Sequence, residues 1–300
     1  MSIAVAVTLT VCGNLLVIIS ICHFKQLQTP TNFLLLSLAM SDLLVGVIVM
    51  PLYFTMLIDR QRCFSTVYCT IFHVTAFYLT FVSIYNVALI AVDRCFAICY
   101  PFQYSMKMTL NATLRLISIL WLSSIIYNMV VLYFNGNIPD LRENITCIEC
   151  AVQFTEIWAI VDCLVIFIVP CLTIMIMYLK IFSVAKNHAN KIRCAQKCTK
   201  TNNSSVTSER KAAKAIGVLV SVFLLCIVPF YICAFLEAYI SNNAVHVAAA
   251  NALTLMYLNS AINPIIYALF YPWFQRCVKL ILTYRIFSAG SSDLNVLATK

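Results

Sequence analysis

Apolar residues recur along this chain in seven blocks, each long enough to cross a bilayer, and that recurrence constrains the fold more than any motif does. The blocks run about 1–22, 31–57, 66–95, 113–133, 154–182, 211–239 and 247–271. A spanning helix needs about 20 residues. Lipid offers no hydrogen bonds to an exposed backbone, so the blocks must be helices; a barrel would need shorter, alternating strands. Hydrophobic residues make up 62% of the 300 and charged residues 10%, against roughly 25% charged in a soluble domain. The expected fold class is an all-α membrane protein, a seven-transmembrane helix bundle. The first block has no basic leader and no small-residue cleavage pattern, so it reads as a span and not a signal peptide. A shorter eighth segment, Pro272 to Leu282, sets Phe274, Cys277, Val278 and Ile281 on one side and Arg276 and Lys279 toward the other. That pattern suits an amphipathic helix lying in the interface. Bundle and eighth helix together fill 1–283, and 284–300 is left as a short tail.

All but three of the 20 Lys and Arg residues fall between spans one and two, three and four, and five and six, or in the tail. The exceptions are Arg60, Arg62 and Arg142, which lie among Asp59, Asp140, Glu143 and Glu149. Basic residues stay on the cytoplasmic side, which puts the N-terminus outside and the tail inside. The formal charge of +9 is thus a signal of topology and lipid contact, and no nucleic-acid partner is implied. The glycosylation triplet Asn144-Ile145-Thr146 falls in an outer loop, consistent with this orientation. Most of the 15 cysteines sit in apolar blocks as small hydrophobes. Cys69, Cys147 and Cys150 do not, and they share the outer side.

Several polar residues stand inside the spans. Asp42 is mid-span, where a carboxylate must be paired, hydrated or protonated. Ser83, Asn259, Ser260 and Asn263 lie at comparable depth and together form either a small cavity for a sodium ion and water or a neutral hydrogen-bonded network. Asp162 lies about 12 Å inside the outer end of span five by helix rise. Every basic residue on that side is in a loop. An acid so placed asks for a cation from outside, and a small protonated amine is the simplest one. The alternatives are a neutralised structural aspartate or one hydrogen-bonded to a nearby Ser, Thr or Tyr. Phe77, Tyr78 and Thr80 in span three, Trp158 in span five, Phe230 and Tyr231 in span six and Tyr257 in span seven are candidate walls, because ring faces attract ammonium. Glu237, near the outer end of span six, is a weaker candidate for attracting a cation. At the inner face Asp93-Arg94 closes span three, and Glu209 opens span six within reach of Arg94. A contact made when the base is closed and broken when span six swings out is a two-state element. Pro170, Pro229 and Pro264 each break a helical hydrogen bond and permit a kink.

These landmarks resemble the rhodopsin-like G-protein-coupled receptors over essentially the whole chain. The matching residues are Gly13-Asn14, Leu38-Ala39 with Asp42, Asp93-Arg94, Trp121, Pro170 with Tyr178, Phe223 with Cys226 and Pro229, and Asn263-Pro264-Ile265-Ile266-Tyr267. Within that class the run from Asn259 to Phe274 and the paired loop cysteines are similar to the trace amine-associated receptors. The resemblance implies an olfactory plasma-membrane sensor of alkylamines or diamines, signalling through a stimulatory G protein, with Asp93, Arg94, Glu209, Tyr178, Phe223, Asn263, Pro264 and Tyr267 in the activation machinery. It implies a disulfide between Cys69 and Cys150, a glycan on Asn144, and no cofactor beyond a structural sodium at Asp42, Ser83, Asn259 and Asn263. It also places the localisation in olfactory cilia.

The chain departs from the family pattern in three ways. Amine receptors usually carry an aspartate where Ala76 stands, whereas Asp162 falls where a fish subset of the family carries its acid. The usual tryptophan of span six is Ile227, and the usual tyrosine after Asp-Arg is Cys95. The amino end is short, so an incomplete gene model or fragment is expected, leaving Cys147 unpaired, although Cys63 is an available partner. The ligand set expected is Asp162, Phe77, Thr80, Phe230, Tyr231 and Tyr257. Rival readings are a receptor for a non-amine ligand, and a transporter or channel. The last is disfavoured because the seven spans show neither an internal repeat nor a filter-like loop. No nucleotide or zinc motif appears, and the four histidines are scattered, so an enzyme is not expected.

Overall fold

The computed structural model describes residues 3–58, 64–135, 150, 155–196, 204–240, 242–288 and 290–297. Within these, the side chains of 156, 185–196, 204–216, 219, 238 and 239 are not described. The fold is all-α. Seven helices are long and apolar enough to cross a membrane: α1 (Ile3–His23), α2 (Pro30–Ile58), α3 (Thr66–Cys99), α4 (Leu110–Phe134), α5 (Glu156–Asp162, Cys163–Ile168 and Val169–Gln196), α6 (Ser204–Tyr239) and α7 (Asn243–Phe270). An eighth helix, α8 (Pro272–Leu282), follows. The spans expected from the sequence are all present, though α5 and α6 run further than their apolar blocks, to Gln196 and from Ser204, because polar residues extend them beyond the hydrocarbon. Thr29, Ser65, Thr109 and Asn242 start four of the helices by accepting a backbone N–H into the side-chain oxygen. The chain is a multi-pass membrane protein, and α4 shows why: Ile119, Leu122 and Ile126 are each more than 60% exposed, a face that only hydrocarbon can cover.

α3 runs through the middle of the bundle and packs against α2, α4 and α5, while α7 packs against α6 and α1. The core beneath is continuous from Val17 and Ile21 through Leu38, Ile84 and Ile90 to Ile174, Phe223 and Tyr267. Prolines shape it in two ways. Pro229 and Pro264 lie inside α6 and α7. Ahead of Pro51 and Pro170, by contrast, the helix widens into one turn with a five-residue hydrogen-bond register, Val45–Val49 in α2 and Cys163–Ile168 in α5. A proline ring clashes with the carbonyl four residues back, and the wider turn relieves the clash. Gly46 lies in the first wide turn, and a Cβ there would meet Thr10 of α1 at 2.8 Å. Gly13 faces Pro264 as closely.

At one end of the bundle Cys69, in the first turn of α3, is joined to Cys150. Cys63, Cys147 and Asn144 fall outside the described residues. At the other end α8 buries Trp273, Phe274 and Cys277, and burial pushes the Cys277 thiol up to about 11. Trp273 joins the face expected from the sequence, with Val278 and Ile281 half-buried beside it. The segment beyond α8 folds back on the start of the chain. Lys25 pairs with Asp293 at 3.0 Å, His23 Nε2 hydrogen-bonds Ser291 Oγ at 3.0 Å, and Arg276 donates to the Val296 carbonyl at 3.2 Å. Ile286 and Val296 are buried by this packing.

The α1–α7 contact is the tightest test of this arrangement. A Cβ on residue 13 would lie 2.8 Å from Pro264 Cβ, and overpacking against a rigid ring costs about 1–3 kcal/mol. Gly13→Ala is therefore expected to lower the melting midpoint of the purified protein; an unchanged midpoint would contradict this packing.

Candidate functional site

Asp162 is the last residue before the wide turn of α5, so its direction depends on that turn. Pro170 has no N–H, and in the five-residue register its missing partner is the Val165 carbonyl, next after the Val169 N–H to Leu164 carbonyl bond. The Tyr85 hydroxyl of α3 donates to that carbonyl instead, at 2.8 Å. Tyr85 stacks on Phe81 at 4.4 Å, and Phe81 packs at 5.3 Å on Tyr127 of α4. The Tyr127 hydroxyl donates to Asp162 Oδ1 at 3.1 Å. Asp162 is thus not unpartnered: of the sequence alternatives, the hydrogen bond to a tyrosine is what the bundle makes. The partner is neutral, and among the described residues no basic side chain forms an ion pair with this carboxylate. Tyr231 of α6 is near enough to feel its charge. Its ring stacks on Phe167 at 4.4 Å and meets Phe230 edge-on at 5.3 Å.

The other expected wall residues do not all join this group. Thr80 and Tyr257 line a separate cavity deeper in the bundle, which includes neither Asp162 nor Phe77, Phe230 or Tyr231. Phe77 is half-buried, with its ring 6.5 Å from that of His73. His73 is itself held by the Cys150 carbonyl at 3.3 Å. Trp158 is half-buried and stacks on Phe134 at the end of α4. Glu237 is bonded to His246 across the α6–α7 seam, so it is not a free acid. Ala76, in place of the usual acid, is buried.

Asp42 is fully buried. Its Oδ1 accepts from Ser260 at 2.8 Å and from Ser83 at 3.5 Å, and its Oδ2 from Asn263 at 2.7 Å. These donors are neutral. Asn259 does not bond the carboxylate, and its buried Oδ1 has no described partner. Beside these groups lies a cavity of about 30 Å³ bounded by Ser83, Asn259, Ser260, Thr80, Tyr257 and Ile227. Ser83 and the unpartnered Asn259 amide oxygen border the void, and the Asp42 carboxylate lies behind Ser83; such an oxygen donor set would fit a sodium ion with water. Asn263, by contrast, presents its N–H to Asp42, so it secures the carboxylate and is not itself an oxygen donor toward a cation there.

At the α8 end, Asp93 is the hub of a cluster that the sequence showed only in part. Arg94 Nε donates to Asp93 Oδ2 at 2.9 Å. Thr31 of α2 donates to the same oxygen at 2.8 Å and Tyr104, from the short helix Pro101–Lys107, to Oδ1 at 2.8 Å. Arg94 also touches the Thr31 hydroxyl. Burial pushes the Tyr104 phenol above its usual value, so it stays a donor. Glu209 lies on the α6 backbone, but its side chain is outside the described residues. Phe223 is buried, and the buried Tyr178 and Tyr267 hydroxyls have no described partner. Neither Thr31 nor Tyr104 carries a sequence signal; each is placed by the fold. Tyr127 had a weak one, as one of several polar side chains, with Ser123, Ser124 and Asn128, in span four.

Removing the hydroxyl that holds Asp162 leaves a half-buried acceptor unsatisfied, which costs at most about 1–3 kcal/mol. Tyr127→Phe is expected to lower the melting midpoint of the ligand-free protein, while Tyr133→Phe, at a position 69% exposed, leaves it unchanged. Equal midpoints for the two variants would mean that the Tyr127–Asp162 bond contributes nothing.

Comparison with known proteins agrees with this geometry. Residues 13–267 match the model of the 7 transmembrane receptor (rhodopsin family). Trace amine-associated receptor 13c of Danio rerio is 40% identical over 299 residues, covering 98% of this chain and 88% of that protein. Trace amine-associated receptor 7c of Rattus norvegicus is 38% identical, with 96% and 83% covered, and receptor 7a of Mus musculus is 37% identical with the same coverage. Asp42, Asp93-Arg94 and the Pro264 contact occupy one bundle in the order that the family motifs require. The chain belongs to the rhodopsin family of seven-transmembrane receptors, which are signal receptors and not enzymes, and within it to the trace amine-associated receptors.

Proposed function

We propose that this receptor detects small protonated amines, alkylamines or diamines, through an ion pair with Asp162, and that it activates a stimulatory G protein from the plasma membrane of olfactory cilia. The observation that carries the reading is a half-buried carboxylate in the bundle wall whose described partner is a neutral tyrosine. Such a charge is compensated well by an ammonium and poorly by a hydroxyl. Phe230 and Tyr231, coupled through Phe167 to the turn that carries Asp162, supply ring surface for the ligand's apolar part. Phe77 lines the facing side from α3, and Thr80 and Tyr257 lie below.

The disulfide end is the outer end in this reading. The basic residues cluster at the opposite end, and disulfides persist in oxidising compartments. Asn144 then lies in an outer loop available for glycosylation. Amine binding favours an open form of the inner end only insofar as the two forms differ in amine affinity. Contraction around Asp162 passes along the Pro229 kink to Phe223, through the Asp42–Asn263 chamber with its sodium, and to Pro264, Tyr267 and Tyr178. Release of Arg94 from Asp93 and Thr31, and from the pairing with Glu209 expected from the sequence, opens the crevice to the G protein. Residues 1–283 form the receptor domain with α8, and 284–300 form a tail, of which Ser291, Asp293 and Val296 contact His23, Lys25 and Arg276.

Breaking a buried charge pair costs about 3–5 kcal/mol, which corresponds to about 100-fold or more in affinity. In cells reporting cAMP, Asp162→Asn is expected to weaken amine responses by at least about that factor. A potency equal to the wild type's would exclude the ion pair. The Tyr127 bond favours one second reading, a neutral ligand that accepts or donates hydrogen bonds at a protonated Asp162; responses that survive Asp162→Asn would support it. The two also differ in pH dependence. Raising pH through the amine's own pKa removes the cation, so the amine response must fall, whereas the response to a neutral ligand does not follow that titration.

A further inference from the structure

Cys95 and Cys99 stand one helical turn apart at the α8 end of α3, and Cys99 is the last residue of that helix. Side chains four residues apart share a helix face, and here the two sulfurs meet at 3.8 Å. Both thiols are free. Cys95 is buried and Cys99 half-buried, so one sulfur is shielded while the other can be reached. A disulfide does not suit the pair. It needs Cβ atoms about 3.8 Å apart, whereas Cβ atoms four residues apart on a helix lie about 5–6 Å from each other. In the orientation argued above, this end also faces the compartment that keeps thiols reduced.

A bridging ion fits the spacing better. With metal–thiolate bonds of about 2.3 Å, two sulfurs on one ion lie about 4.0–4.6 Å apart as the angle opens from about 120° to about 180°. A small turn of either side chain opens the present contact to that span. Among the described residues no third histidine, cysteine or carboxylate gathers with the pair, so the four-ligand shell of a structural zinc is not built. Thiolates select copper(I) among soft metals, and a closed-shell monovalent ion accepts two ligands in line. Lys180 of α5 is near enough for its charge to be felt at Cys95. A dithiolate holding one monovalent cation carries one net negative charge for that lysine to balance.

We propose that Cys95 and Cys99 form a two-thiolate clamp for copper(I) at the inner end of α3. On binding, two S–H bonds break, two copper–sulfur bonds form and both protons pass to solvent; no electron moves. Cys95 stands where the family usually has a tyrosine, so the clamp belongs to this chain's own departure from the pattern. The bound ion ties the residue after Arg94 to the end of the helix. It thereby stiffens the turn between the Asp93 cluster and the helix Pro101–Lys107. The clamp does not rest on the amine reading.

The test uses the purified full chain under ascorbate, loaded with copper(I) against the competing chelator bicinchoninate. Alkylation of Cys99 by iodoacetamide is read peptide by peptide in a mass spectrometer, so the other cysteines do not confuse it. Copper(I) is expected to protect Cys99 in the wild type. In Cys95→Ala, where Cys99 remains as a lone thiol, about 100-fold less chelator is expected to strip that protection, because the second ligand no longer holds the ion in place. Cys95→Ser is expected to behave the same way, so one misfolded variant does not end the test. Hydrogen exchange across residues 95–104 is expected to slow on loading in the wild type and in neither variant. The clamp is overturned if copper(I) leaves Cys99 open to alkylation, or if the variants match the wild type against the chelator. It is also overturned if zinc protects as well as copper(I) does, since a two-ligand site should not hold it. Unchanged exchange alongside a protected Cys99 would mean that a sulfur other than Cys95 completes the site, which overturns the clamp too.

Discussion

Lipid cannot hydrogen-bond to a backbone, and the prolines of this bundle turn that constraint into architecture. Each proline inside a span removes an amide donor and leaves a carbonyl to be satisfied from within the protein. In α5 the adjustment is a single wide turn before Pro170, and the carbonyl it releases, that of Val165, is taken by the Tyr85 hydroxyl from α3. Because Asp162 stands at the start of that turn, the rotation of its side chain is a by-product of how the proline was accommodated. The same accommodation before Pro51 lets α1 approach α2 at Gly46, where Thr10 leaves no space for a Cβ. Local backbone chemistry thus sets both the aim of the candidate ligand acid and the spacing of the helices around it.

Below that level the protein keeps polar groups in apolar surroundings and does not satisfy all of them. Asp42 has three neutral donors, while Asn259 Oδ1 and the Tyr178 and Tyr267 hydroxyls have no described partner. Unpaired groups of this kind are expensive in a static core. They are cheaper in a bundle that moves between two packings, since a partner missing in one form is available in the other. The cluster at Arg94 has the opposite character. Asp93 receives donors from Arg94, Thr31 and Tyr104, which tie α2, α3 and the short helix after α3 into one unit. The cluster is well satisfied and fixes these elements to one another, whereas the region above it keeps unpaired polar groups.

Much of the fold was legible because a bilayer imposes simple rules: span length, basic residues at one end, and an amphipathic segment after the last span all follow from hydropathy and charge. The residues of the Asp42 network were also legible, because polar side chains in an apolar run stand out and residue counting brings them to one depth. Counting could not separate Asn259 from Ser260, although one donates to Asp42 and the other is left without a described partner, since neighbouring positions differ by about 100° around a helix. The ligand wall was legible only in part. Aromatic residues are 12% of the chain, so a ring in a span carries little information about where it points; Trp158 turned to Phe134 and Tyr257 to Tyr53.

The sequence by itself determined that this chain is a seven-helix membrane receptor, because hydrophobic length, charge asymmetry and motif order are properties of the string of residues and need no knowledge of helix rotation. Which groups meet was decided only by the tertiary structure. Tyr127 reaches Asp162, Thr31 reaches Asp93, and the segment past α8 returns to Lys25, and none of these pairs has a periodicity or spacing that announces it. Each depends on the angle at which two helices cross and on how far each is turned about its own axis. Those angles come from the packing of all the side chains between them, so no local stretch of residues contains them.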